Sequence, residues 1–157
     1  MVKQITGDLL NVKSGIVCHQ TNYHGVMGAG VAAAIKKELL TEEQYEKYVA
    51  YCYTHKGAAL GSVQYIDTRI PGVTVANVFC QMAYMDKNHT LTSYTAMEEC
   101  FKAIRDEAMR LDAPVYFPYK IGCGIAGGDW PTVEQIIKDV FDDSEVQVYI
   151  VKRSIDQ

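Results

Sequence analysis

Two glycine-rich segments hold the residues best suited to chemistry: His19-Gln-Thr-Asn-Tyr-His-Gly-Val-Met-Gly-Ala-Gly30 and Ile121-Gly-Cys-Gly-Ile-Ala-Gly-Gly-Asp-Trp130. Glycine lets a chain turn its N–H groups outward, and the first turn of a following helix adds partial positive charge. Two such nests facing each other suit a diphosphate gripped from both sides. His19 ends an apolar run, where an imidazole beside phosphate serves as a general acid or a hydrogen-bond donor. It equally suits a core histidine satisfied by backbone. Asp129 reads either as a carboxylate that orients water or as the N-cap of the helix opened by Pro131. Cys123, between two glycines, is either a thiol activated at a helix N-terminus or a small residue packed under the loop. His24 sits at a loop tip, facing ligand or solvent, and His55 and His89 read as surface residues.

Several other chemistries are excluded by spacing. Glycines 25, 28 and 30 run G-x-x-G-x-G, not the G-x-G-x-x-G of a dinucleotide fingerprint, and neither segment carries the Gly-Lys-Ser/Thr of a P-loop. The histidines and cysteines lack metal-ligand spacing, so no metal is expected. No G-x-S-x-G elbow supports a serine hydrolase.

Each glycine segment follows a short apolar run and precedes a helical pattern, which places it at the carboxyl end of a strand, where open α/β sheets bind ligands. Strands are expected at Val2–Thr6, Gly15–His19, Ser62–Ile66, Val73–Phe79, Val115–Pro118 and Glu145–Lys152, with a Pro71-Gly72 turn between the third and fourth. Helices are expected from Ala29 to Leu40, with Val31, Ala34, Ile35 and Leu39 on one side, and from Glu42 to about Lys56 behind a Thr41/Gln44 capping box. Tyr94, Met97, Phe101, Ile104, Ala108 and Leu111 step by three and four along a longer helix, and Pro131 begins the last. The sum is one three-layer α/β domain with about six strands.

The bulk properties agree. A chain of 157 residues, 48% hydrophobic and 22% charged, suits one soluble domain with a real core. A net charge of -4 gives no footprint for nucleic acid, although backbone amides bind phosphate without lysine or arginine. Five cysteines without paired spacing read as free thiols of a reducing compartment. No apolar run reaches the ~20 residues of a membrane span, and the start lacks the apolar region of a signal peptide. A cytoplasmic protein is expected.

One ordered set of landmarks spans nearly the whole chain: Gly7-Asp8-Leu9-Leu10, Asn22 to Ala33, Asn77-Val-Phe-Cys-Gln81, and Ile121-Gly-Cys-Gly124 with Asp129-Trp130. It resembles the macrodomain, an ADP-ribose-binding fold, in the branch of the ADP-ribose 1''-phosphate phosphatases and terminal ADP-ribose protein glycohydrolases. The resemblance implies an α/β/α macrodomain with a mixed central sheet over residues 1–157. It implies adenine contacts from Asp8 and Leu9, with residues around Val151 nearby; the alternative for Asp8 is a helix or turn cap. Gly25, Val26, Met27, Gly28, Ala29, Gly30 and Val31 would hold one side of the diphosphate. Gly122, Cys123, Gly124, Ile125, Ala126 and Gly127 would close the other side and cover the distal ribose. Asn22 and Gln81 would face that ribose, with His19, at a position where phosphatase-like members carry histidine, and Asp129 as the catalytic candidates.

The chain departs from the glycohydrolase at two points. Ala126 stands where that enzyme has aspartate, and Cys80, Gln81 and Met82 stand where its lysine is expected; Lys87 lies too far along. The implied activity is hydrolysis of an ADP-ribose derivative, with no metal and no cofactor. The implied partners are that ligand and an ADP-ribosylated macromolecule. The alternative is a reader that binds ADP-ribose without turning it over.

Overall fold

A computed structural model describes residues 1–83 and 90–154. The readings of Lys87 and His89 fall outside the described residues. In chain order the elements are β1 (Val2–Thr6), β2 (Gly15–Gln20), α1 (Gly30–Glu38), α2 (Glu42–His55), β3 (Val63–Asp67), β4 (Val73–Val78), α3 (Tyr94–Leu111), β5 (Val115–Pro118), α4 (Trp130–Phe141) and β6 (Val148–Lys152).

The strands form one mixed sheet in the order β1-β6-β5-β2-β4-β3. All neighbours are parallel except β3, which runs antiparallel to β4 at the edge. The central strands β2 and β4 are buried nearly throughout because helices cover both faces, which explains their unbroken apolar runs. Successive side chains of β2 serve opposite layers. Ile16 and Cys18 face a core built with Met97, Phe101 and Ile104 of α3 and Val133 and Ile137 of α4. Val17 faces a second core with Ile35 of α1 and Tyr48 and Cys52 of α2. Phe101, Phe117 and Phe141 pack with ring centroids 4.8–6.5 Å apart, and truncating one such ring costs about 3–5 kcal/mol.

Local signals set the helix ends. The capping box of α2 is complete: Gln44 N–H donates to Thr41 Oγ1 at 3.1 Å, and Thr41 N–H to Gln44 Oε1 at 2.9 Å. The helix stops at His55, with Lys56 instead of Gly57 taking a positive φ as the chain tightens into a 3₁₀ turn. Two positions leave the expected apolar stripes. Leu111, the last residue of α3, is exposed, and Val31 in the first turn of α1 opens to solvent. β6 begins at Val148, not Glu145, because its ladder with β1 starts with the Val2–Val148 pair.

Candidate functional site: a cleft between two glycine loops

β2 and β5 are parallel neighbours, so the segments leaving their carboxyl ends stand side by side. Together they enclose a cleft of about 620 Å³. The first loop is shaped by Asn22, whose Oδ1 accepts from His24 N–H and whose Nδ2 donates to the Val26 carbonyl, both at 2.9 Å. Tyr48 and Tyr45 of α2 donate from below to the carbonyls of Asn22 and Gly25, at 2.8 and 2.9 Å. The chain then turns into α1 through Gly30, at φ 59°. Ala29 stands at the N-cap and offers no side-chain oxygen, so the first-turn N–H groups of α1 are left for a ligand or solvent.

The second loop is held by a chain of side chains. Cys80 Sγ donates to Gln20 Oε1 at 3.0 Å, Gln20 Nε2 to Thr92 Oγ1 at 3.2 Å, and Thr92 Oγ1 to the Gly122 carbonyl at 2.7 Å. Gly122 must be glycine: its φ is 75°, and a Cβ would meet Gln20 Oε1 at 2.7 Å. The carbonyl of Ala126 accepts from Thr90 Oγ1 and Leu91 N–H, both at 2.7 Å. Among the described residues, the N–H groups of Gly124, Ile125 and Ala126 make no hydrogen bond.

The electrostatic character of the cleft differs from that of the whole chain. Net charge is -4, yet among the described residues no aspartate or glutamate lines the cleft, and Lys120 brings a cation to it. Val26, Val31 and Ile125 add exposed apolar surface; Ile125 is 85% exposed. Tyr119 lies at the Lys120 end. Lys152 Nζ stands 4.9 Å from its ring centroid, and Trp130 meets the ring edge-on.

Of the residues expected to contact ligand, His19, Asn22, Val26, Gly28, Ala29, Gly30, Val31, Gln81, Gly122, Cys123, Gly124, Ile125 and Ala126 all line the cleft. Asp8, Leu9, Gly25, Met27, Gly127 and Asp129 do not. Asp8 is exposed, and its carboxylate caps the 3₁₀ turn at Leu10 N–H. Leu9, Met27 and Val151 are buried in the apolar core beneath α1 and α2. Gly25 and Gly127 supply left-handed turns behind the lining. The carboxylate of Asp129 is engaged by the start of α4, where it accepts from Thr132 N–H at 3.2 Å and Thr132 Oγ1 at 2.7 Å. Asn22 lines the cleft with its amide committed to its own loop. His24 is exposed against Tyr23, and His55 is exposed and stacks on Tyr51.

His19 is 1% exposed, and its Nε2 lies 2.6 Å from Asn77 Oδ1. Burial, partly offset by that hydrogen bond, lowers its pKa to about 4, so the ring is neutral at physiological pH and cannot act as a resting acid. Cys123 moves the other way. Burial, with Asp129 nearby, raises its pKa to about 11, which keeps the thiol protonated and removes the activated-thiolate reading. All five cysteines are free thiols. Among the described residues, no group of three or more His, Cys, Asp or Glu gathers about a metal position, and no helix is long and apolar enough to cross a membrane.

The lining also includes Gln20, Thr21, Ala32, Pro118, Tyr119, Lys120 and Ile121, which sequence reasoning did not single out. Gln20 and Thr21 lie inside the first glycine segment, and their place beside His19 was the available signal. Tyr119 and Lys120 precede the second segment and carried none.

The profile of the Macro domain family matches residues 18–137, a span that contains both glycine loops and every residue lining the cleft. The chain belongs to this family. Across its length the macrodomain is 25% identical to an ADP-ribose 1''-phosphate phosphatase of Candida albicans, covering 96% of this chain and 100% of that protein. A structure of a protein of unknown function from Bacteroides thetaiotaomicron superposes with a TM-score of 0.84 at 29% identity, over 97% of this chain and 98% of the other. The fold also matches Thermosipho africanus DarTG in complex with ADP-ribose, with a TM-score of 0.77 at 16% identity, over 99% of this chain and 42% of that one.

Proposed function

We propose that this macrodomain binds ADP-ribose and hydrolyses an ADP-ribose derivative, foremost ADP-ribose 1''-phosphate. The observation that carries the reading is the cleft itself: among the described residues it has two facing rows of unpaired N–H groups, a cation at the rim and no lining carboxylate. Such a site stabilises a bent diphosphate through fixed dipoles, without assembling a basic patch. The Candida relative and the ADP-ribose complex of the Thermosipho protein support the ligand class.

In this reading the first-turn N–H groups of α1 hold one phosphate, and those of Gly124 to Ala126 hold the other. The distal ribose then reaches the floor at the ends of β2 and β4, beside His19 and Gln81. Asp129 serves as a helix cap, which leaves His19 as the catalytic residue. Catalysis comes from positioning a water against a fixed electrophile. A lysine-adduct glycohydrolase route has no support, since Ala126 and the run Cys80-Gln81-Met82 occupy the positions it needs.

The same absence favours the second reading, a reader that binds without turnover. Phosphate release on incubation with ADP-ribose 1''-phosphate separates the two. Release at a rate that falls in His19→Gln supports hydrolysis; tight binding with no release from this ester or from ADP-ribosylated acceptors identifies a reader.

A further inference from the structure

A polar relay whose direction is fixed runs from His19, in the cleft lining, back through the sheet to α2. Gln64 Nε2 donates to the Lys47 carbonyl of α2 at 3.0 Å. A carbonyl only accepts, so this bond sets which end of the Gln64 amide is which. Gln64 Oε1 then accepts from Asn77 Nδ2, at 3.2 Å. That turns Asn77 Oδ1 toward His19 Nε2, which must carry the proton across the 2.6 Å contact. His19 and Asn77 are register partners on β2 and β4, and Gln64 is the partner of Asn77 on β3, so the sheet ladder holds all three side chains in a row.

The other ring nitrogen, Nδ1, is left as a lone pair. It is buried and has no hydrogen-bond partner among the described residues, and the same holds for Thr21 Oγ1, on a residue that is 3% exposed. Thr21 continues β2 by donating its N–H to the Val78 carbonyl at 3.0 Å. Two residues along an extended chain, it shares the sheet face of His19. Both residues line the cleft. Buried polar atoms of this kind are normally satisfied by water, and a water needs two or more polar partners.

We propose that Asn77 and Gln64 are positioning residues that hold His19 as its Nε2–H tautomer, and that His19 Nδ1 and Thr21 Oγ1 together hold the hydrolytic water. The catalytic part rests on the hydrolase reading above; the tautomer and the water site do not. During turnover the water gives a proton to Nδ1 as its oxygen bonds to the phosphorus of the 1''-phosphate. The ester oxygen leaves with the bonding pair and takes that proton back from the imidazolium, which restores neutral His19 and yields ADP-ribose and phosphate.

The test is nitrogen-15 NMR of the imidazole rings at pH 7, with the His19 signals assigned through His19→Gln. A protonated Nε2 and a bare Nδ1 are expected in the wild type. Gln64→Leu should erode that preference with the fold intact, and Asn77→Asp should convert the ring to imidazolium. An Nδ1–H tautomer or an imidazolium in the wild type overturns the relay. For the water, cross-relaxation between solvent and His19 Hε1 should be present in the wild type and lost in Thr21→Val; its persistence in that variant overturns the site. With ADP-ribose 1''-phosphate as substrate, Thr21→Val should lower kcat about tenfold or more at near-constant KM, and Thr21→Ser should restore it. Unchanged kcat in Thr21→Val overturns the catalytic role. If the wild type releases no phosphate, the hydrolase reading fails, and the spectra still decide the tautomer and the water site.

Discussion

Gly124 and Gly128 stand four residues apart, yet a side chain means opposite things at the two positions. A Cβ on Gly124 meets nothing within 4 Å, and its backbone is not in the left-handed region. Gly124→Val should therefore fold with a Tm near that of the wild type while filling the cleft, lowering ADP-ribose affinity at least tenfold, or about 1.4 kcal/mol. A Cβ on Gly128 would lie 2.5 Å from the Gly122 carbonyl. Gly128→Ala should cost about 1–3 kcal/mol of stability, because that carbonyl also anchors Thr92 and cannot yield. Thermal unfolding and calorimetric titration of the two variants separate these outcomes; equal behaviour would show that the loop is not held as described. The glycines were legible in sequence because a turn's backbone demand is local. The His19–Asn77–Gln64 row was not, because residues 58 positions apart meet only once β2 and β4 pair in register.

At the level of elements, the ends of helices decide how the cleft is furnished. α4 has a full side-chain cap in Asp129, whereas α1 opens with Ala29 and no cap. The uncapped helix opens on the cleft and the capped one does not, the arrangement expected where free N–H groups are kept for an anion. Asp129→Ala should cost about 1 kcal/mol in urea denaturation, the usual worth of an N-cap, and leave phosphate release within about twofold. Lost turnover at unchanged stability would instead return Asp129 to the reaction. The capping box, the Pro71-Gly72 turn and the long α3 stripe could be read from short-range spacing. Tyr119 and Lys120 could not, since their role follows from where β5 inserts between β6 and β2.

For the whole molecule, burial of His19 links the cleft to global stability. Its folded pKa of about 4 lies below the ordinary 6.5, so the unfolded chain binds the proton more readily than the folded one. The stability gained by keeping this ring neutral is complete above pH 6.5 and is lost as pH falls from there through about 4. The loss is on the order of 3 kcal/mol. Comparing denaturation of wild type and His19→Gln at pH 7 and pH 4 should show a smaller acid-induced loss in the variant; parallel losses would place the acid sensitivity elsewhere. Phosphate release should likewise decline as pH approaches 4, because the protonated ring cannot accept a proton. The fold class was the most legible feature, since a three-layer α/β sheet with loops at its carboxyl edge follows from the alternation of apolar runs and helical stripes, whereas the strand order is set by pairings distant in sequence.

The most direct test of the central claim is calorimetric titration of the wild-type protein and Gly124→Val with ADP-ribose. Saturable one-to-one binding by the wild type, weakened at least tenfold in a folded Gly124→Val, is the predicted result. No binding by the folded wild type, or equal binding by both proteins, would contradict the assignment of the cleft between the two glycine loops as the ADP-ribose site.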